Sequence, residues 1–219
     1  RAQYDFPVLY TNVMIGETGY EEPGKCYNSG AAVGRVLDIW KKGAPALDLI
    51  APDIYNPELS VYSRICSRYA RPDNALFIPE TSPTGEAFAM DLIRAAADYG
   101  AIGLYGFGAE SALTNNGELS EDAYPVMVSM RTIQNLAPLL IRYRGTGRIH
   151  CFLQEEFAIK QYLKLPKYHV VANYLRGSSL RHGLGSRINL RDPENEKHLN
   201  ARGRGILIQT GEDEFFLAG

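Results

Sequence analysis

Residues 75–108, "ALFIPETSPTGEAFAMDLIRAAADYGAIGLYGFG", hold a strand, a helix and a second strand in one unbroken run. The apolar stretch "ALFIPE" ends on Glu80, and Ser82, Pro83, Thr84 and Gly85 then supply turn chemistry. Phe88, Leu92, Ala96 and Tyr99 recur at helical spacing, and Gly100 stops the helix. "AIGLYGFG" begins at once. A strand that reaches the next through a helical crossover runs parallel to it.

The same unit repeats outward from this stretch. Upstream lie the strand "PVLYTNVM" (7–14), the helix "AAVGRVLDIWKKGAP" (31–45), the strand "LDLIAPDIY" (47–55) and the helix "SVYSRICSRYA" (60–70). Downstream, "SEDAYPVMVSMRTIQNLAPLL" (120–140) reads as a fourth helix with Ser120 as candidate cap. Four such units fit either an open doubly wound sheet or half of an eightfold β/α TIM barrel. No GxGxxG turn follows any strand, which weakens the dinucleotide-binding form of the open sheet. Every strand closes on polar or aromatic residues, namely Asn12, Asp53 with Tyr55, Glu80, and Tyr105 with Phe107. In a barrel these would converge on one mouth, which would make residues 1–138 a half-barrel; an open sheet is the alternative. Beyond about residue 139 the pattern turns β-rich, with "YHVVANYLRG" (168–177) and "GRGILIQTGEDEFFLAG" (203–219) as strands. A second, all-β domain over 139–219, itself incomplete, is the expectation.

Composition narrows the function classes. A net charge of -2 offers no electrostatic basis for binding nucleic acid or an anionic membrane surface. No apolar run approaches the roughly 20 residues of a membrane span. Cys26, Cys66 and Cys151 fit no CxxC spacing, and His150, His169, His182 and His198 form no metal-ligand or triad pattern. No metal or organic cofactor is expected. The chain opens on Arg1 and runs directly into a strand, which reads as a piece of a longer protein. Its compartment is therefore left open.

Glu80 is the candidate catalytic group. A carboxylate at the C-terminal end of a barrel strand stands where such folds build active sites. It could attack an anomeric carbon while a second carboxyl protonates the leaving oxygen. The competing reading is a cap on the helix that follows Thr84. Tyr55, at the neighbouring strand end, could donate a hydrogen bond to Glu80, or simply pack on its own loop. Asp53 lies on the same side of its strand as Tyr55 and could orient a loop or contact a ligand. Tyr105 reads as core and Phe107 as an apolar platform for a sugar ring. Glu17 and Glu110 are loop carboxylates, the Asn195–Glu196 pair sits in a charged loop, and Ser29 lacks a nucleophile's GxSxG frame.

"PVLYTNVMIG", "PGKCYNSGAAVGRVLDIWKKGAPALDLIAPDIY", "NALFIPET" and "AIGLYGFGAE", in that order, resemble the later strands of a bacterial family 35 glycoside hydrolase, a β-galactosidase type on a clan-A barrel. The closing "GILIQTGEDEFFLAG" resembles the β-rich domain that follows that barrel. The resemblance implies that the four strands are the fifth to the eighth, the C-terminal half of a (β/α)8 barrel. It places the nucleophile of a retaining, exo-acting β-galactosidase on Glu80 and its supporting tyrosine on Tyr55. Asn12, Tyr105 and Phe107 would line the sugar site, the last two where related enzymes often carry tryptophan. The partner implied is a galactoside or a galactose-bearing oligo- or polysaccharide. The family's acid/base glutamate, in an Asn-Glu pair on the fourth strand, would precede Arg1. A carbohydrate-binding module that keeps the cleft without the chemistry is the alternative.

Overall fold

The computed structural model describes residues 8–15, 22–155, 158–174 and 202–219. Glu17, His182, His198 and the Asn195–Glu196 pair lie outside the described residues.

Strands β1 (Tyr10–Met14), β2 (Leu49–Ile54), β3 (Phe77–Thr81) and β4 (Gly103–Gly106) form a parallel sheet in the order β1-β2-β3-β4. Helices α1 (Leu37–Gly43), α2 (Leu59–Tyr69), α3 (Glu86–Ala97) and α4 (Tyr124–Tyr143) alternate with the strands. The strand order never reverses. Right-handed crossovers taken always in one direction put the connecting helices α1, α2 and α3 on one face, so the sheet is singly wound and has no doubly wound switch point.

That covered face is the first core. Val13 on β1, Ile50 and Ile54 on β2, and Ile78 on β3 meet Leu37, Val61, Tyr62, Ile65, Tyr69 and Ala95 from the helices. The helical periodicity read between residues 88 and 99 therefore marks a real apolar stripe, with Leu92 and Ala96 buried. Buried Asn74 completes the entry to β2. Its Oδ1 accepts the Ile50 N–H at 2.8 Å and its Nδ2 donates to the Ile50 and Tyr69 carbonyls at 3.0 and 2.9 Å.

Two prolines shape the strand ends. Pro52 on β2 and Pro79 on β3 each immediately precede a residue of the first β2–β3 partner pair, Asp53 with Glu80. Neither proline has an N–H to give the ladder. The β3–β4 register also shifts between Ile78 and Thr81. Ile78 and Thr81, three apart, are both buried, so the bulge leaves Glu80 on the uncovered face with Asp53.

Neither Glu80 nor Thr84 caps α3, whose N-terminus follows Gly85 with no side-chain cap. Ser120 does act as a cap-like acceptor, its Oγ taking the Ala123 N–H at 3.2 Å ahead of α4.

The β-rich part comprises an antiparallel sheet of β5 (Ile149–Leu153), β8 (Arg204–Gln209) and β9 (Phe215–Ala218), in the order β5-β8-β9, and a hairpin of β6 (Lys160–Lys164) and β7 (His169–Asn173). The closing stretch is a hairpin, β8 and β9, turned where the Thr210 N–H meets the Glu214 carbonyl at 3.0 Å. A second core joins this sheet to the helices: Met90, Ile93 and Ala97 of α3 and Leu136 and Tyr143 of α4 pack with Cys151, Leu153, Ile206 and Ile208. Arg204 locks the junction. Its guanidinium pairs with Glu86 at the start of α3 and donates to Ser129 Oγ at 2.8 Å and the Pro125 carbonyl at 3.0 Å. Among the described residues no helix is long and apolar enough to cross a membrane.

Candidate functional site

Three adjacent strand ends bring four polar side chains together. In the β1–β2 register Asn12 faces Ala51, and in the β2–β3 register Asp53 faces Glu80. Side chains two apart on a strand share a face, so Asn12, Asp53 and Tyr55 lie on the uncovered side. The bulge at Pro79 and Glu80 adds the fourth.

The Asn12 amide has two N–H groups, and both are committed. Its Nδ2 donates to Glu80 Oε1 at 2.9 Å and to Asp53 Oδ2 at 3.2 Å. The Tyr55 hydroxyl donates to Glu80 Oε2 at 3.0 Å. Each Glu80 oxygen therefore has its own donor, from a strand on the same side of β3. A carboxylate held by two fixed donors is aimed.

The electrostatics divide the two carboxyls. Burial, then the Glu80 charge, push Asp53 up to about 6, against the opposing hydrogen bond from Asn12. Asp53 is 5 % exposed, and its Oδ1 is buried without a hydrogen-bond partner among the described residues. Tyr55 is pushed up to about 12 by burial and by its bond to Glu80, so it remains a proton donor throughout the physiological range.

An aromatic row lies beside this network on the same face. The rings of Tyr10 and Phe77 meet edge-on at 4.9 Å, and those of Phe77 and Tyr105 at 5.5 Å. Tyr105, read from the sequence as core, is 58 % exposed on the uncovered face of β4. Phe107 is 62 % exposed just past β4, where its N–H donates to the Thr81 carbonyl at 2.9 Å and ties that loop to β3. Glu110 is exposed in a short 3-10 turn, and Ser29 in a surface turn.

Behind β3 a different polar group is enclosed. Asp91 of α3 is fully buried, as is Tyr62 of α2, whose hydroxyl faces Thr81, and neither Asp91 oxygen meets a hydrogen-bond partner among the described residues. Burial pushes Asp91 up to about 8. Cys66 is driven up by burial and by the Asp91 charge, and Cys151 is pushed up to about 12 by burial and by Asp98, so both thiols are unreactive at neutral pH. Among the described residues no group of three or more His, Cys, Asp or Glu could hold a metal ion.

The sequence named Asn12, Tyr55, Glu80, Tyr105 and Phe107, and the structure sets the first three in one hydrogen-bonded group with the aromatics alongside. It also ties Asp53 into that group. The parity of Asp53 with Tyr55 was the visible signal. Its pairing with Glu80 needed the strand register.

A family model described as a domain of unknown function (DUF5597) matches residues 129–219, from within α4 to the last strand. No curated protein matches the chain.

Proposed function

We propose that this chain is part of a retaining glycoside hydrolase of β-galactosidase type, with Glu80 as the nucleophile. The observation that carries the reading is the Glu80 carboxylate at the C-terminal end of β3, held between Asn12 Nδ2 at 2.9 Å and the Tyr55 hydroxyl at 3.0 Å. Two donors from neighbouring strand ends hold a nucleophilic carboxylate aimed. Glu80 attacks the anomeric carbon, the glycosidic C–O bond breaks, and the departing oxygen takes a proton from an acid carboxyl. Water then cleaves the glycosyl ester. The exposed Tyr105 and Phe107 offer the apolar surface a sugar ring stacks on. No metal or organic cofactor enters this chemistry.

The barrel reading of residues 1–138 is part of the same proposal, with residues 139–219 as the following β-rich domain. Parallel sheets are ordinarily covered on both faces. Here the uncovered face carries Tyr10 at 48 %, Met14 at 61 % and Tyr105 at 58 % exposure, which supports further strands closing over it. Those strands would supply the acid/base glutamate.

One observation favours a second reading for these residues taken alone. The carboxyl that shares Asn12 with Glu80 is Asp53, its neighbour on the next strand. Buried beside Glu80 as its register partner, Asp53 is not placed to protonate a leaving group across a sugar ring from it. A cleft that binds a galactoside without cleaving it would behave this way.

The test is Glu80→Gln in the complete protein with an aryl β-galactoside. Loss of roughly 10³-fold or more in kcat is expected of a nucleophile. Turnover within a few-fold of wild type would rule the assignment out, and saturable galactose binding by a wild type that never hydrolyses would favour the binding reading.

A further inference from the structure

Asp53 has no part in the steps above, yet it is built into the group that holds Glu80. The two carboxyls are register partners on adjacent parallel strands and accept from the same Asn12 amide, at 3.2 and 2.9 Å. Their surroundings differ. Glu80 is partly exposed and has a donor on each oxygen, whereas Asp53 is buried and its Oδ1 has no partner among the described residues. An unpartnered buried oxygen is tolerable on a neutral carboxyl and costly on a carboxylate. Among the described residues, the groups facing Asp53 are Asn12 from β1, Glu80 from β3 and Tyr55 on its own strand, and none of these is a cation.

We infer, building on the nucleophile reading of Glu80, that Asp53 is a positioning residue that holds the proton of an Asp53–Glu80 pair. The pair then carries one negative charge, on Glu80, and the Asn12 amide stays aimed at it. When Asp53 ionises, a second charge appears beside Glu80 and competes for the same amide. Because Asp53 is pushed up to about 6, that change falls within the working range of many enzymes.

The pair can be read without catalysis by following the Asp53 side-chain carbon of the aspartate-labelled chain by NMR across pH. The expected midpoint is near 6. It should fall in Glu80→Gln, which removes the neighbouring charge, and rise in Asn12→Ala, which removes the donor. A wild-type midpoint in the ordinary aspartate range, or one that Glu80→Gln leaves unmoved, overturns the inference. In the complete enzyme, the decline of kcat/KM as pH rises through this region should vanish in Asp53→Asn, whose amide mimics the neutral acid. An unchanged limb in a folded Asp53→Asn protein overturns it as well, and if that variant fails to fold the Glu80→Gln titration still decides. If Glu80 is not the nucleophile, Glu80→Gln keeps its turnover while the Asp53 midpoint still falls in that variant, so the two failures are told apart.

Discussion

Asp91→Asn isolates the energetic effect of one enclosed carboxyl. Asp91 is fully buried in α3, neither of its oxygens meets a hydrogen-bond partner among the described residues, and burial pushes it up from 3.8 to about 8. Among the described residues the Arg94 charge one turn along the helix opposes this. Because the folded value lies above the unfolded one, the folded chain holds a proton that the unfolded chain has already released between those two pH values. Stability therefore falls as pH rises through that window. The slope is about 1.4 kcal/mol per pH unit, which amounts to about 4 kcal/mol between pH 5 and 8 as an upper limit. Asn cannot ionise, so Asp91→Asn should flatten the stability profile over the same range whatever its absolute stability. Urea unfolding of both proteins at several pH values, followed by far-UV circular dichroism, measures the two slopes. Parallel slopes from pH 5 to 8 would mean that Asp91 is ionised in the folded state, and the account of the enclosed cluster behind β3 would be wrong.

Arg204→Ala should cost about 3–5 kcal/mol, since it leaves the partly buried Glu86 carboxylate without its cation and also removes the bonds to Ser129 and the Pro125 carbonyl. Urea unfolding of the double variant with Glu86→Gln should cost less than the two single changes summed, and strict additivity would deny the coupling. Gly103→Ala would set a methyl group 2.7 Å from the Phe77 ring and 3.2 Å from that of Tyr105. A loss of about 1–3 kcal/mol with a changed near-UV aromatic signal is expected, and an unaltered signal would show that the aromatic row does not pack as described.

Much of the fold was legible because both of its periodicities are local. The strands and helices between residues 7 and 143 announce themselves through runs such as "ALFIPE" and through stripes such as Leu92 with Ala96, each set by the geometry of a single element. Ser120 and Gly100 mark their helix ends through short-range hydrogen bonding and backbone freedom. The β-rich part was less legible. Cys151, Leu153, Ile206 and Ile208 acquire their meaning from packing on α3 and α4, which no window along the chain contains.

The candidate site divides in the same way. Sequence by itself determined which residues close the strands and, through the two-residue alternation, that Asp53 and Tyr55 share a face. Strict alternation would also have sent Glu80 to the same face as Ile78, into the core. Only the tertiary structure decided otherwise, through a bulge that depends on how β3 pairs with its neighbours on both sides. Only register could place Asp53 opposite Glu80, and only the assembled sheet could make one Asn12 amide serve both. Hydrogen bonds between residues 41 and 68 positions apart are products of folding, because nothing in the local chain energetics of either partner encodes them.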